Sequence, residues 1–120
     1  MQLPLQIAAR GIELGDETEA LIRRYVEKLE RFYDRIMSVR VMVEVPQRRM
    51  GEPIMHNVRF DVTVPGGEVL AKRQANPVLQ TAIQRAYEAT RRRLQDYARR
   101  QRGDVKARAG RPLERGGRWK

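Results

Sequence analysis

The sequence predicts an α+β fold, a two-layer sandwich in which two helices pack on one face of a four-stranded sheet. Three patterns support this prediction: valine-rich stretches that alternate with polar residues, a stripe of apolar residues at helical spacing near the start, and a second such stripe toward the end. In chain order the elements are β-α-β-β-β-α. Because both helices cover the same face of the sheet, their outer faces remain available to a partner.

The first strand and the first helix are predicted within the first third of the chain. In residues 3–7, LPLQI, apolar side chains alternate as in a strand with one buried face, and the proline favours an edge position. Asp16 is the expected N-cap of the helix, with Glu19 three residues later as in a capping box. The buried stripe of this helix is predicted to comprise Ile22, Tyr25, Val26, Leu29, Phe32, Tyr33 and Ile36.

Three more strands are predicted between the two helices. Residues 39–45, VRVMVEV, carry β-branched side chains at alternate positions, and Pro46 ends this strand. Residues 58–64 show the same alternation. The turn at residues 65–67, PGG, then predicts a hairpin whose returning strand occupies residues 68–75.

The second helix is predicted to begin at Asn76, whose side chain suits an N-cap, with Pro77 at the first helical position. Its buried stripe is expected to consist of Leu79, Ala82, Ile83, Ala86, Leu94 and Tyr97. The helix is expected to end near Arg102, because a glycine follows. Residues 103–120 show no apolar period, which predicts a basic, disordered tail after a single domain of residues 1–102.

The composition excludes several classes of function. The chain has no cysteine, which rules out disulfides and thiolate metal sites. Its one histidine, His56, lacks the neighbouring ligands or carboxylate pair of a metal or catalytic site, so no enzyme activity, cofactor or small-molecule substrate is expected. No apolar stretch approaches the roughly 20 residues of a membrane span, and no signal-peptide pattern opens the chain. We therefore expect a cytoplasmic protein without a membrane partner.

Positive charge is concentrated in the last third of the chain. The net charge is +10, of which residues 1–84 carry only +1, residues 85–102 carry +5 and residues 103–120 carry +4. Solubility alone requires only a balanced mixture of charges. The asymmetry therefore indicates a functional end that meets an anionic partner.

The predicted second helix presents its basic residues in rows. At 100° per residue, three arginines fall on the side opposite the apolar stripe: Arg85, Arg92 and Arg99. Arg93 and Arg100 form a parallel row beside them, and Arg91 and Arg102 flank the other side. Solvation alone explains many such faces, but this helix has few acidic residues, and the planar arginine fork suits phosphate oxygens. We therefore favour nucleic-acid binding, with RNA and DNA both open.

The first helix and the aromatic residues receive ordinary structural interpretations. Basic residues of the first helix alternate with acidic ones, several at i, i+4 spacing, and salt bridging accounts for most of them. The aromatic residues on or beside the helical stripes are assigned to the core rather than to base stacking.

The run "KLERFYDRI", residues 28–36, resembles the most recognisable segment of the ribosome hibernation-promoting factors, also called ribosome-associated inhibitor A or sigma-54 modulation proteins. The similarity is strongest across residues 12–36, "IELGDETEALIRRYVEKLERFYDRI". It continues through "VTVPGGEVLA" and "TAIQRAYEATRRRLQDYARR", so that it covers about residues 1–102. The family has the same order of strands and helices as the one that periodicity predicts.

The resemblance implies binding to the small ribosomal subunit and its rRNA, in the channel used by mRNA and the decoding-site tRNAs. Translation is then inhibited, and the idle ribosome is protected. The resemblance assigns RNA contacts to Lys28, Arg92, Arg100 and Arg102. With the helical rows added, the predicted contact set is Lys28, Arg85, Arg92, Arg93, Arg99, Arg100 and Arg102.

Two alternatives remain open. The first is a general RNA- or DNA-binding protein that uses the same basic helix without ribosome specificity. The second is a regulator that binds an acidic protein, such as a sigma factor, as the name of the resembled family suggests. Whether the protein promotes or prevents ribosome dimers does not follow from the sequence.

Overall fold

Helices cover one face of a mixed sheet in a computed structural model of the chain, which describes the backbone of residues 3–110 and the side chains of residues 3–102. The elements are β1 (Leu5–Arg10), α1 (Asp16–Phe32), β2 (Ser38–Glu44), β3 (His56–Val64), β4 (Gly67–Leu70), β5 (Gln74–Asn76) and α2 (Leu79–Gly110). The predicted α+β class and the predicted order of elements are confirmed, with the last predicted strand divided into two.

The sheet follows the spatial order β1-β2-β3-β4, and β5 also pairs with β3. β1 runs parallel to β2, with Leu5 opposite Val39, whereas the pairs β2–β3, β3–β4 and β3–β5 are antiparallel. A parallel pair needs a crossover connection, and α1 provides it. β1 lies at the edge of the sheet, where the proline that precedes it leaves no ladder hydrogen bond missing.

The returning strand of the hairpin is interrupted by an extra residue. Leu70 of β4 pairs with Asp61, and Gln74 of β5 pairs with Val58. The interval from Leu70 to Gln74 is one residue longer than the interval from Val58 to Asp61, as in a β-bulge. The prediction of one continuous strand over residues 68–75 is therefore wrong. An extra residue reverses the face of the sheet to which the following side chains point. Gln74 therefore lies on the same, helix-covered face as its partner Val58.

The core lies between the helices and the sheet. Strands β2 and β3 bury alternate side chains, namely Val39, Val41, Val43, Val58, Phe60, Val62 and Val64. The helices bury Ile22, Val26, Leu29, Ala82, Ile83, Ala86 and Leu94 against them. The period-2 and period-3.6 patterns in the sequence therefore mark the surfaces that meet. Burial of this apolar area is the main favourable term in folding.

The first helix is shorter than its apolar stripe predicts. α1 begins at Asp16, the residue expected to be the N-cap, and Gly15 occupies the cap position without a side-chain hydrogen bond. Acidic residues in the first turn favour this start through the helix dipole. The helix ends at Phe32, because Tyr33 is already extended. Ile36 is buried from the turn that follows, so it continues the helical period without belonging to the helix.

The second helix begins at Leu79, two residues after Pro77, which is the predicted first helical position. Asn76 belongs to β5, and its side-chain oxygen accepts a hydrogen bond from the Val78 N–H at 2.9 Å. This bond forms a turn of the Asx type around Pro77. The Asn76 side chain therefore accepts a backbone hydrogen bond, as predicted. The bond orders the turn before α2 rather than the first turn of the helix.

The second helix also continues beyond the predicted end. α2 passes through Gly103 and reaches Gly110, so the predicted end near Arg102 is wrong. A single glycine inside a helix costs only about 1 kcal/mol relative to alanine, which by itself does not terminate a helix. Residues 103–110 of the predicted tail are helical, and residues 111–120 lie outside the described part of the chain.

Candidate nucleic-acid interface

The outer face of α2 is rich in arginine. The helix buries Ile83 and Leu94 completely against the sheet. Because successive residues are rotated by 100°, the row formed by Arg85, Arg92 and Arg99 lies on the opposite side, and all three side chains are exposed. Neighbours in this row are seven residues, or about 10 Å, apart along the axis. The structure therefore places the predicted row on one solvent-facing surface.

The charge on α2 is not neutralised by the described carboxylates. The ion pairs between described residues join Arg10 to Glu44 at 3.8 Å and Arg59 to Asp61 at 2.7 Å, all four on the sheet. Residues 79–102 of α2 contain seven arginines and only two acidic residues. Positive charge on this surface is therefore available to an anionic partner from outside the domain.

The second predicted row, Arg93 and Arg100, borders strand β4. Arg93 Nε donates a hydrogen bond to the Leu70 carbonyl oxygen at 3.2 Å, at the point where the bulge interrupts the returning strand. This bond orients Arg93, and its other N–H groups remain exposed and able to donate to phosphate. Arg100 is exposed and has no hydrogen-bond partner among the described residues.

Lys28 extends the basic surface from α2 onto α1. Its Nζ atom lies 5.4 Å from the centroid of the Tyr25 ring and 6.0 Å from that of Tyr87, distances typical of cation–π contacts. The two rings pack with centroids 4.8 Å apart and hold α1 against α2. Lys28 is exposed. The ring pair therefore positions the ammonium group beside α2 and leaves its charge in place.

An open cleft of about 1090 Å³, here called the basic cleft, lies between the end of α1 and residues 95–102 of α2. One acidic residue, Asp34, lines it. Its basic lining residues are Arg31, Arg35, Arg99 and Arg102. The last two belong to the predicted contact set, whereas spacing predicts salt bridges for the first two. Among the described residues neither forms an ion pair, so sequence reasoning missed both as candidates.

Phe32 stands on the wall of the basic cleft rather than in the core. Its side chain is 38% exposed, and the guanidinium carbon of Arg91 lies 4.9 Å from its ring centroid. The core assignment of Phe32 is therefore wrong. Phe32 is the last residue of α1 and, at 100° per residue, lies about 60° to one side of the buried Leu29, at the border of the buried stripe.

Tyr33 and Tyr97 join the base of the cleft to the hairpin. Their rings meet edge to face with centroids 6.2 Å apart, and the Tyr97 hydroxyl donates to the Pro65 carbonyl oxygen at 2.7 Å. Burial raises the pKa of the Tyr33 phenol; Tyr97 and Asp34 add to this rise, and a neighbouring arginine opposes it. The phenol therefore stays neutral at pH 7 and brings no negative charge into the cleft.

The described residues give little support for a metal site or a membrane-spanning helix. His56 Nδ1 lies 3.3 Å from the Asn76 carbonyl oxygen, within the ladder that joins β3 to β5. No group of three or more potential metal-binding side chains occurs in the part of the chain that the structure describes. Within that same part, no helix combines the length and the apolar character needed to cross a membrane.

Comparison with protein families gives a match to the model described as sigma 54 modulation protein / S30EA ribosomal protein, over residues 5–102. The chain belongs to this family. The matched range contains the five described strands, α1 and residues 79–102 of α2, so the family resemblance stated from the sequence is confirmed. The S30EA family consists of ribosome-associated factors and is not an enzyme family. A comparison with curated proteins gives no match.

Two solved structures share the fold of this S30EA chain at low sequence identity. A ribosomal subunit interface protein from Coxiella burnetii superposes with a TM-score of 0.69 at 12% identity, and the match covers 80% of this chain and 98% of the other. The N-terminal domain of Protein Y from Thermus thermophilus gives a TM-score of 0.65 at 18% identity, covering 81% and 99%. Both agreements concern the fold.

Proposed function

We propose that this S30EA protein binds the small ribosomal subunit through its rRNA at the decoding region and blocks access of mRNA and tRNA. The observation that carries the proposal is the arginine surface of α2, which no described carboxylate neutralises. Ribosomal RNA is a dense polyanion, and each guanidinium can bind phosphate oxygens with two parallel hydrogen bonds. Family membership supports a ribosomal target, as does the fold shared with a protein described as a ribosomal subunit interface protein.

The proposed contact surface has a central row and two borders. The row of Arg85, Arg92 and Arg99 faces outward, Arg93 and Arg100 border β4, and Lys28 and Arg102 border α1. The contact arginines of α2 lie between residues 85 and 102, a span of about 26 Å at 1.5 Å per residue. Charge repeated over this length suits an extended run of phosphates better than a single small anion.

The proposed action is occlusion, without a chemical step. A domain of residues 1–102 that occupies the path of mRNA and tRNA inhibits translation because two molecules cannot fill the same space. This action needs no cofactor and no small-molecule substrate. Because ribosomes work in the cytoplasm, the proposal places the protein there.

Sedimentation of a cell lysate through a sucrose gradient tests this proposal. The expected result is that the protein migrates with small subunits and with particles that contain them. Migration with bulk RNA or DNA, independent of ribosomal particles, would favour a general nucleic-acid-binding protein. Migration at the top of the gradient together with an acidic protein would favour a protein regulator. Either of these results would contradict the proposed ribosomal target.

A further inference from the structure

Phe32 is an exposed aromatic ring on the wall of the basic cleft, which four arginines line. It is more than one-third exposed although it lies in the apolar stripe of α1. An exposed phenylalanine contributes nothing to solubility and little to the core. The Arg91 guanidinium carbon lies 4.9 Å from the ring centroid and covers one face of the ring, so a flat ligand group would stack on the other face or replace Arg91.

The surroundings of Phe32 match the chemistry of a nucleotide. The basic cleft places four arginines around the ring and only one carboxylate, Asp34. Its volume of about 1090 Å³ slightly exceeds the range for sites that hold drug-sized ligands, about 300–1,000 Å³, so it has room for a nucleotide. A nucleotide combines a flat aromatic base with an anionic phosphate, so one ligand can satisfy both the ring and the guanidinium groups.

We infer that the basic cleft binds an unpaired RNA nucleotide, whose base stacks on Phe32 and whose phosphates contact Arg31, Arg35, Arg99 and Arg102. The inference rests on the proposed RNA-binding function and adds a recognition element to it. The outer row of α2 contacts phosphates, which every RNA contains. The basic cleft adds a preference for an unpaired, unstacked base, since neighbouring bases cover the faces of each base in a duplex.

Binding of a short labelled single-stranded RNA, compared with an RNA duplex of the same length, tests the inference. Phe32→Ala removes the ring, and Phe32→Tyr keeps a ring of similar size. Val78→Ala is the matched control, because Val78 is also an exposed apolar residue, 51% accessible, and precedes α2, about 30 Å from the cleft at 1.5 Å per residue. Circular dichroism monitors the fold of each variant.

Phe32→Ala is expected to weaken single-strand binding by a factor between about 5 and about 150, the range for the loss of one base–aromatic stack. The salt dependence of binding should stay unchanged, because no phosphate contact is removed. Phe32→Tyr and Val78→Ala should bind like the parent, and duplex binding should not change. Equal affinity of Phe32→Ala and the parent for single strands, or no binding of the parent to single strands, would overturn the inference.

The same variants separate this inference from the proposed function. If the parent and Phe32→Ala both migrate with small subunits and both bind single strands equally, the nucleotide site is wrong and the ribosomal target stands. If the parent binds single strands through Phe32 but does not migrate with ribosomal particles, the nucleotide site stands and the ribosomal target is wrong.

Discussion

The hydroxyl of Tyr97 links α2 to the hairpin between β3 and β4 by one hydrogen bond. Tyr97 is half-buried, and its hydroxyl donates to the Pro65 carbonyl oxygen at 2.7 Å. The turn depends on Gly66, whose φ of +92° is unfavourable for other residues. The apolar stripe predicts Tyr97 as a core residue, and the structure adds a polar role that periodicity does not contain.

Tyr97→Phe should lower the free energy of unfolding by about 0.5–1.5 kcal/mol, because it removes one hydrogen bond and keeps the ring. The measurement is urea unfolding followed by circular dichroism. RNA affinity should not change, since the hydroxyl faces the hairpin. A variant as stable as the parent would show that water replaces the bond without loss.

Gly11→Ala should destabilise the fold by more than about 1 kcal/mol, because Gly11 has a φ of +77° and a Cβ there would collide with the Val45 carbonyl oxygen. Gly67→Ala is the control, since open space surrounds that position and its φ is not positive. Thermal unfolding of both variants checks the difference. Equal melting temperatures would contradict the assigned geometry of Gly11.

Single-residue roles were predictable only where the sequence itself determines the environment. Lys28 is exposed beside α2, as its assignment by resemblance requires. Arg31 and Phe32 differ from expectation because their surroundings come from α2, more than sixty residues away in sequence. Local spacing describes neighbours within one helix and contains no information on such a tertiary contact.

α2 has a buried face and an arginine-rich, exposed face on opposite sides. One face buries Ile83 and Leu94 in the core, and the other presents arginines to solvent. The sequence predicted this division because the helical period is sustained over many turns. It did not predict the ends of either helix, since caps and glycines bias an end by only about 1 kcal/mol. Nor did it predict the bulge, because weak alternation in the returning strand does not show where register changes.

Ile83→Asp and Leu94→Asp should each abolish cooperative unfolding, because each buries an unpaired carboxylate in a fully buried position. The expected cost is at least about 4 kcal/mol, a large part of the stability of a small domain. Gln84→Asp is the control on the exposed side of the same helix. Native-like thermal transitions for the two core variants would show that the buried face has been assigned wrongly.

At the scale of the whole molecule, the fold class followed from the sequence because each element carries its own period. The α+β arrangement follows from the order of the strand and helix patterns along the chain, because the apolar faces of the helices must pack on a face of the sheet. The outer arginine row was likewise predictable from a single helix. The basic cleft was not, because it requires α1 and α2 to be placed side by side.

Binding of the whole protein to ribosomal particles should weaken steeply with salt. About five phosphate contacts give a slope of log affinity against log salt between about −3.5 and −4.5, through release of counterions. The affinity is measured by co-sedimentation across a series of salt concentrations. An affinity that is constant from low to physiological salt would contradict a phosphate-based interface.

Charge reversal of the outer row tests the central claim most directly. The triple variant Arg85→Glu, Arg92→Glu, Arg99→Glu removes no core atom, and Arg48→Glu, Arg49→Glu, Arg73→Glu is a control with the same change in net charge at exposed positions outside the proposed contact set. Both should keep the circular dichroism spectrum of the parent. Only the first should stop co-sedimenting with small ribosomal subunits at physiological salt. If the first variant still co-sediments like the parent, the arginine row is an ordinary solvated surface, and the proposed mode of binding is wrong.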